Sequence, residues 1–226
     1  MEQGQGAGTD AGTDEAATLI AGARALGVTL TQHDAGRLLV LLDELARWNR
    51  AYNLTAVTAR AEMLTHHLLD SLAVAPFLTV TPHPAGARVA DVGTGAGFPG
   101  LPLALVRPDA RFTLIDSAGK KLRFVAHAAR TLGLSNVEPV HARVEALKPV
   151  AFDVVVARAF AALPRLLDLV APLAGPGTRV LAMKGRLPDR EVNEVQPPWR
   201  VIETVALGVP GLNEARHLVI AGRLPP

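Results

Sequence analysis

The sequence predicts an α/β fold: a seven-stranded, mostly parallel sheet with helices on both faces, preceded by a small helical segment. Three observations carry this. From residue 86 onward, short β-rich runs alternate with helical ones, the pattern of a sheet whose two faces are covered by crossover helices. The last two runs, 200–207 and 217–222, have only "GVPGLNEAR" between them, too short for a crossover helix, so they should pair as an antiparallel hairpin. Before residue 78 the apolar residues recur at three- and four-residue spacing instead.

Residues 1–14 are Gly, Thr, Asp, Gln and Ala without periodicity, too polar to repay the entropy of ordering, and are expected to form a disordered tail. Residues 15–85 form the helical segment, packed on the core. In "TQHDAGRLLVLLDELARWNRAYN", Leu38, Leu41, Leu42, Leu45 and Trp48 share one face, and Thr31 followed by Asp34 resembles a capping box. Trp48 and Tyr52 lie four apart, which favours packing over a nucleic-acid contact, with Asn49 and Asn53 capping the helix end. A second amphipathic run, "AEMLTHHLLDSLAVAPFL", stops at Pro76, and "TPHPAGA" reads as a linker. The strands are then "RVADV", "RFTLID", "NVEPV", "FDVVVAR", "TRVLAMKG", "RVIETVAL" and "HLVIAG", which make residues 86–226 the sheet domain.

The 226 residues, 49% of them apolar, suffice for one such domain and its appendage. With no cysteine, disulfides, thiolate metal sites and a cysteine nucleophile are excluded. No run of about 18 apolar residues occurs, and the start of the chain lacks a basic stretch and an apolar core, so a cytoplasmic, soluble protein without a membrane partner is expected, by default a monomer. Charge is uneven: residues 1–85 hold 5 Lys/Arg against 9 Asp/Glu, residues 86–226 hold 18 against 12. A basic half of this kind fits a surface that meets phosphate, and plain solvated charge explains it equally well.

"RVADVGTGAGFPGLPLAL", residues 88–105, is a strand, a glycine-rich turn and a helix. Ligands of open α/β sheets sit at the carboxyl ends of the strands, where the first turn must let the backbone come close. Gly93, Gly95 and Gly97 meet that demand, and Asp116 ends the second strand, where a carboxylate can accept from two ribose hydroxyls. The glycines alone fit two cofactors, since "GAGFPG" also matches the dinucleotide pattern, with NAD-dependent oxidation as the consequence. Three features favour S-adenosylmethionine. Asp91 stands where a carboxylate can hold a methionine ammonium, although it can equally cap the turn. Only about 140 residues follow the first strand, little room for a separate substrate domain. Pro99 and Pro102 remove amides that a pyrophosphate would need.

"RWNRAYNLTAVT", "HLLDSLAVAPFL", "DVGTGAGFPGLPLALVRPDARFTLIDS", "KKLRFV", "RAFA", "MKG" and "RHLVI" follow one another in this order, over about residues 26–223. Together they resemble the bacterial 16S ribosomal RNA guanine-N7 methyltransferases, the glucose-inhibited division protein B family. The resemblance implies a Rossmann-like class I S-adenosylmethionine methyltransferase. It implies that the methyl group goes to N7 of guanosine 527 in the 16S RNA of the small ribosomal subunit. By matching position it implies cofactor contacts at Gly93, Phe98, Val144, Glu145 and Arg158; the general logic of the fold puts Asp116, Gly95 and Gly97 in the same pocket. The family tends to carry a basic Arg–His pair where this chain has His66 and His67. A neutral histidine at the first position would hold phosphate more weakly. His67 keeps the expected type, as a substrate contact or as a packed histidine.

Guanine N7 has an in-plane lone pair and no proton, so transfer asks for alignment rather than a general base. Pyrimidine C5 methylation would need the absent cysteine. "QPPW", residues 196–199, imitates the loop of exocyclic-amine methyltransferases but follows the fifth strand, and is read as a turn. Arg158 can hold guanine O6 or a phosphate, Phe160 can stack on a base, and Lys184 adds charge at the same sheet edge. Arg158 and Lys184 are therefore the catalytic candidates, with Lys184 also readable as a solvated strand end. Arg143, Arg165, Arg186 and Arg216 are candidate RNA contacts, with His67 and Phe160. A module that binds RNA or ribosomes without catalysis is the alternative.

Overall fold

The computed structural model describes residues 7–78, 86–186 and 189–224. Helix α1 spans Ala7–Ala25, so residues 7–14 are helical where a disordered tail was expected. Ala16, Leu19 and Ala23 bury one side of it, and once packed turns have formed a helix nucleus, extension by further residues costs little. Residues 1–6 and 79–85, the latter including residues 81–85 of the expected linker, lie outside the described residues.

Helix α2, Gln32–Tyr52, opens on the predicted capping box: Asp34 N donates to Thr31 Oγ1 at 3.1 Å, and Thr31 N to Asp34 Oδ2 at 3.1 Å. Leu38, Leu41, Leu42 and Leu45 are fully buried. Trp48 lies 5.4 Å from Tyr52 and 5.7 Å from Phe124, so the aromatic pair packs onto the sheet domain, as the spacing predicted. Asn53 ends the helix at φ 49°, and the Asn49 side chain both donates to Thr55 O (3.0 Å) and accepts from Thr55 N (2.9 Å), fixing the next loop. The second amphipathic run divides into α3 (Arg60–Met63), a π-helix (Leu64–Leu69), α4 (Asp70–Leu72) and a 3₁₀ turn, Ala75–Phe77.

The seven expected strands are β1 (Ala87–Val92), β2 (Ala110–Asp116), β3 (Val137–His141), β4 (Phe152–Arg158), β5 (Ala174–Lys184), β6 (Trp199–Ala206) and β7 (His217–Arg223). Their order is β3-β2-β1-β4-β5-β7-β6, parallel except for β7, which runs antiparallel between β5 and β6. The terminal hairpin is therefore present, inserted so that β7 lies against β5. Helices α5 (Gly100–Val106), α6 (Gly119–Thr131), α7 (Leu163–Val170) and α8 (Asp189–Asn193) complete the chain. Alternate residues of each strand face opposite layers: Val89, Leu114 and Val156 join the core of α1, α2, α5 and α6, whereas Val92, Val155 and Ala182 join that of α7. "QPPW" is a turn, and its Trp199 is buried in the α7 layer. Strand order reverses between β1 and β4, so the carboxyl ends of these two strands border the crevice where open α/β sheets bind ligands.

Candidate active site

The turn after β1 is held from below. Asp91 is completely buried; its Oδ2 accepts from Gly100 N (2.8 Å) and Thr94 Oγ1 (2.5 Å). Gly93 N and Thr94 N both donate to Ile115 O at the end of β2 (2.9 and 3.1 Å). Asp116 accepts from Gly95 N at Oδ2 (2.9 Å) and from Ala118 N at Oδ1 (2.8 Å), and so ties the glycine turn to the start of α6. Gly93 stands at φ +68°, a region that L side chains avoid, and a Cβ there would come within 2.3 Å of the Phe160 ring. A Cβ at Gly97 would come within 2.4 Å of Leu101 Cδ1, inside the core.

Two cavities open on either side of this turn, and Gly93, Lys121 and Ala159 line both. The smaller, about 350 Å³, runs along the ends of β2 and β3 past Asp116, Val144 and Glu145. The larger, about 530 Å³, lies over the ends of β1, β4 and β5 and is roofed by the helical segment through Thr55, His66, His67 and Asp70. Residues far apart in the sequence thus share one wall.

The structure distributes the predicted residues between these spaces and the surrounding core. Asp116, Val144, Glu145, Gly93 and Gly95 border the cavities. Gly97 borders neither, because its missing side chain makes room for Leu101. Asp91 also borders neither and caps the turn, so the ammonium-holding role is not what its Oδ2 does here. Phe98 belongs to the larger cavity, away from the ribose side, where it stacks on His67 at 4.8 Å between centroids. His67 is the packed histidine of the two readings: 7% exposed, with Nε2 3.0 Å from Thr55 Oγ1. Lys184 is a strut rather than a free charge, since its Nζ donates to Ala161 O and Glu191 Oε2, both at 2.8 Å. Glu191 also accepts from Leu163 N, so the loop after β4 is strapped to α8. Phe160, Arg143 and Arg165 lie along the smaller cavity and not the larger one. Arg186 is exposed outside both. Arg158 and Arg216 line the larger cavity.

Arg158 Nη1 donates to His66 O (2.8 Å) and Asp70 Oδ2 (3.0 Å), and Arg216 Nε donates to Asp70 Oδ1 (3.1 Å). Sequence reasoning missed Asp70, Thr55 and Glu191. Asp70 and Thr55 stand inside quoted motifs, "HLLDS" and "NLTAVT", and a carboxylate in an otherwise apolar helical run is a visible signal. The π-helix that brings His66, His67 and Asp70 to one wall has no such signal. π-Turns recur at functional sites.

Two buried groups titrate abnormally, in opposite senses. Burial, helped by the Arg158 guanidinium, pulls the His67 imidazole from 6.5 down to about 4. Burial pushes the Asp91 carboxyl from 3.8 up to about 6, against its Thr94 and Gly100 hydrogen bonds. Between these values the folded protein binds fewer protons than the unfolded chain at His67, so stability rises with pH; at Asp91 it binds more, so stability falls with pH. The two slopes nearly cancel from pH 4 to 6. Asp91→Asn keeps both acceptor bonds and removes the falling slope. Its denaturant-measured stability should therefore rise by about 3 kcal/mol between pH 4 and 6.5, where the unsubstituted chain changes little. A flat profile in the variant would contradict this assignment.

A seven-stranded sheet in this order, with a glycine turn at its switch point and a paired cleft beside it, is the Rossmann-like fold of class I methyltransferases. Of the solved structures with this fold, an S-adenosylmethionine-dependent methyltransferase from Thiobacillus denitrificans in complex with S-adenosyl-L-homocysteine aligns with a TM-score of 0.52 at 15% identity, over 69% of this chain and 91% of that one. A family model described as rRNA small subunit methyltransferase G matches residues 35–219. The ribosomal RNA small subunit methyltransferase G of Escherichia fergusonii is 45% identical over 195 residues, 86% of this chain and 91% of that protein. The protein of the same name from an Azoarcus species is 43% identical over 212 residues, 93% of this chain and 98% of that protein. The chain belongs to the rRNA small subunit methyltransferase G family and is a methyltransferase.

Proposed function

We propose that this chain transfers the methyl group of S-adenosylmethionine to N7 of guanosine 527 in the 16S RNA of the small ribosomal subunit. The observation that carries the reading is the adjacency of two cavities across the bare backbone of Gly93, one narrow and one wide. The narrow side fits a nucleoside: Asp116 for the ribose hydroxyls, the buried Val144 side chain and the Glu145 backbone for the adenine. Gly93 and Gly95 leave room for the amino-acid arm above the turn that Asp91 caps from below. When bound, the cofactor supplies an electrophilic methyl group on a sulfonium.

The wide side suits an acceptor that needs no proton removed. His67 is neutral at pH 7, and its Nε2 is engaged by Thr55; Lys184 and Glu191 neutralise one another. Besides His67, the one other imidazole among the described lining residues is that of His66. N7 of guanine asks only for alignment, worth about 7 to 11 kcal/mol in favourable cases. Arg158 and Arg216 supply donors for guanine O6 and phosphate. Substrate recognition by so few basic groups favours an assembled ribonucleoprotein over naked RNA. A cytoplasmic site of action follows from that substrate.

The test is to treat small subunits, and RNA stripped from them, both from cells lacking the modification, with the purified chain and S-adenosylmethionine, and to map N7-methylguanosine. Methylation confined to guanosine 527, and faster on subunits, is expected. N7-methylguanosine elsewhere, or RNA binding without methylation, would overturn the assignment, as would calorimetric binding of NAD in place of S-adenosylhomocysteine.

A further inference from the structure

Asp70 is the one carboxylate among the described residues that line the larger cavity, and it is 3% exposed. It comes from α4, in the helical segment, yet its two oxygens are taken by guanidiniums from the far side of the cavity. Arg158 ends β4 and Arg216 immediately precedes β7, and β5 lies between those strands. Two strand spacings separate their backbones by about 9 to 10 Å. Two guanidiniums on such a base repel and diverge unless an anion stands between them. Asp70 is that anion, with Oδ2 on Arg158 Nη1 at 3.0 Å and Oδ1 on Arg216 Nε at 3.1 Å. A guanidinium is a rigid plane of five donors, so fixing one N–H fixes the direction of the others. Each arginine side chain keeps about a fifth of its surface open, 22% and 21%, and both border the cavity.

We propose that Asp70 is a positioning residue that converts Arg158 and Arg216 into a two-pronged clamp on the acceptor nucleotide, a guanosine with its phosphate. The inference rests on the methyl-transfer reading for the identity of that nucleotide. Arg158 stands 5.8 Å from the Phe98 ring beside the glycine turn, and takes the base edge. Arg216, two strands further out, takes the phosphate. One carboxylate against two guanidiniums leaves a net positive charge for an anionic ligand to meet. The helical segment thereby completes the acceptor site instead of only covering the sheet.

Asp70→Asn keeps the size of the side chain but must turn an N–H toward one of the two arginines. Its kcat on small subunits should fall about 100-fold, a loss like that of a preorganised donor. The affinity for S-adenosylhomocysteine should change less than about threefold, and Asp70→Glu should recover about tenfold of the loss. A purely stabilising Asp70 would instead lower the melting temperature and leave kcat intact in the folded variant, and that result overturns the proposal. A second arm does not depend on methylation. Arg216→Ala should weaken retention of small-subunit RNA about tenfold in the unsubstituted chain and less than about twofold on Asp70→Asn, because coupled residues are not additive. Equal losses in both backgrounds would overturn the clamp. Absence of N7 methylation by the unsubstituted chain, with the coupling present, would overturn the substrate reading alone.

Discussion

Arg158→Ala is expected to reduce the single-turnover rate of methyl transfer to small subunits by about 10³-fold or more, with the chain still folded. The side chain leaves β4 at the switch point of the sheet and reaches a wall of the larger cavity, the space proposed for the acceptor base. Loss of one oriented donor from a desolvated site typically costs about 10² to 10³ in rate. Here Asp70 also loses one of its two partners, so Arg216 is released from its orientation as well. Breaking a buried ion pair can cost about 3 to 5 kcal/mol of stability, but Asp70 keeps Arg216, so the cost should fall below that range. The resemblance implied a cofactor contact for Arg158, whereas the structure places it in the larger cavity and not in the one bordered by Asp116 and Val144. S-adenosylhomocysteine affinity, measured by calorimetry on the variant, separates the two. A change of less than about threefold is expected, and a large loss of affinity would return Arg158 to the cofactor side. A normal rate would remove it from the mechanism. Arg158→Lys keeps the charge without the planar fork, and should recover only a small part of the rate.

What the sequence disclosed depends on how local each interaction is. The strands were legible because alternation and burial on both faces are written within five to eight consecutive residues, and the terminal hairpin because "GVPGLNEAR" cannot hold a helix. Thr31 and Asp34 were legible as a cap for the same reason, being three residues apart. The start of α1 was not, because residues 7–14 owe their helix to packing further along rather than to their own pattern. Gly97 and Gly93 are identical in the motif; only the neighbour that each would strike distinguishes a core contact, Leu101, from a cavity floor, Phe160. Lys184 has a motif, "MKG", but its strut depends on Ala161, 23 residues away, and Asp70 depends on Arg158 and Arg216, 88 and 146 residues away. Chemistry-bearing residue types can be listed from a sequence; which of them neutralise one another is a property of the tertiary contacts.

The two glycines also give the other large expected effect. Gly93→Ala should lower S-adenosylhomocysteine affinity about 100-fold at modest cost to stability, and Gly97→Ala should do the reverse. At Gly93 the added methyl group meets only Phe160, 36% exposed, whose ring can swing into solvent. What remains is the backbone strain of an alanine at φ +68°, about 1 to 2 kcal/mol. The methyl group then stands on the floor that both cavities share, where the sulfonium arm must pass. At Gly97 the methyl group lies 2.4 Å from Leu101 Cδ1 and 2.7 Å from its Cγ; Leu101 is fully buried, so overpacking of about 1 to 3 kcal/mol adds to the strain at φ +86°. That variant should melt well below the unsubstituted chain yet bind S-adenosylhomocysteine within about threefold wherever it is folded. Gly93→Ala made on Phe160→Ala should show the same loss of affinity as on the unsubstituted chain, because the methyl group itself narrows the passage. Tight binding by Gly93→Ala in either background would mean that the cofactor does not cross the turn between the two cavities, and the placement of the nucleoside against Asp116 and Val144 would have to be given up.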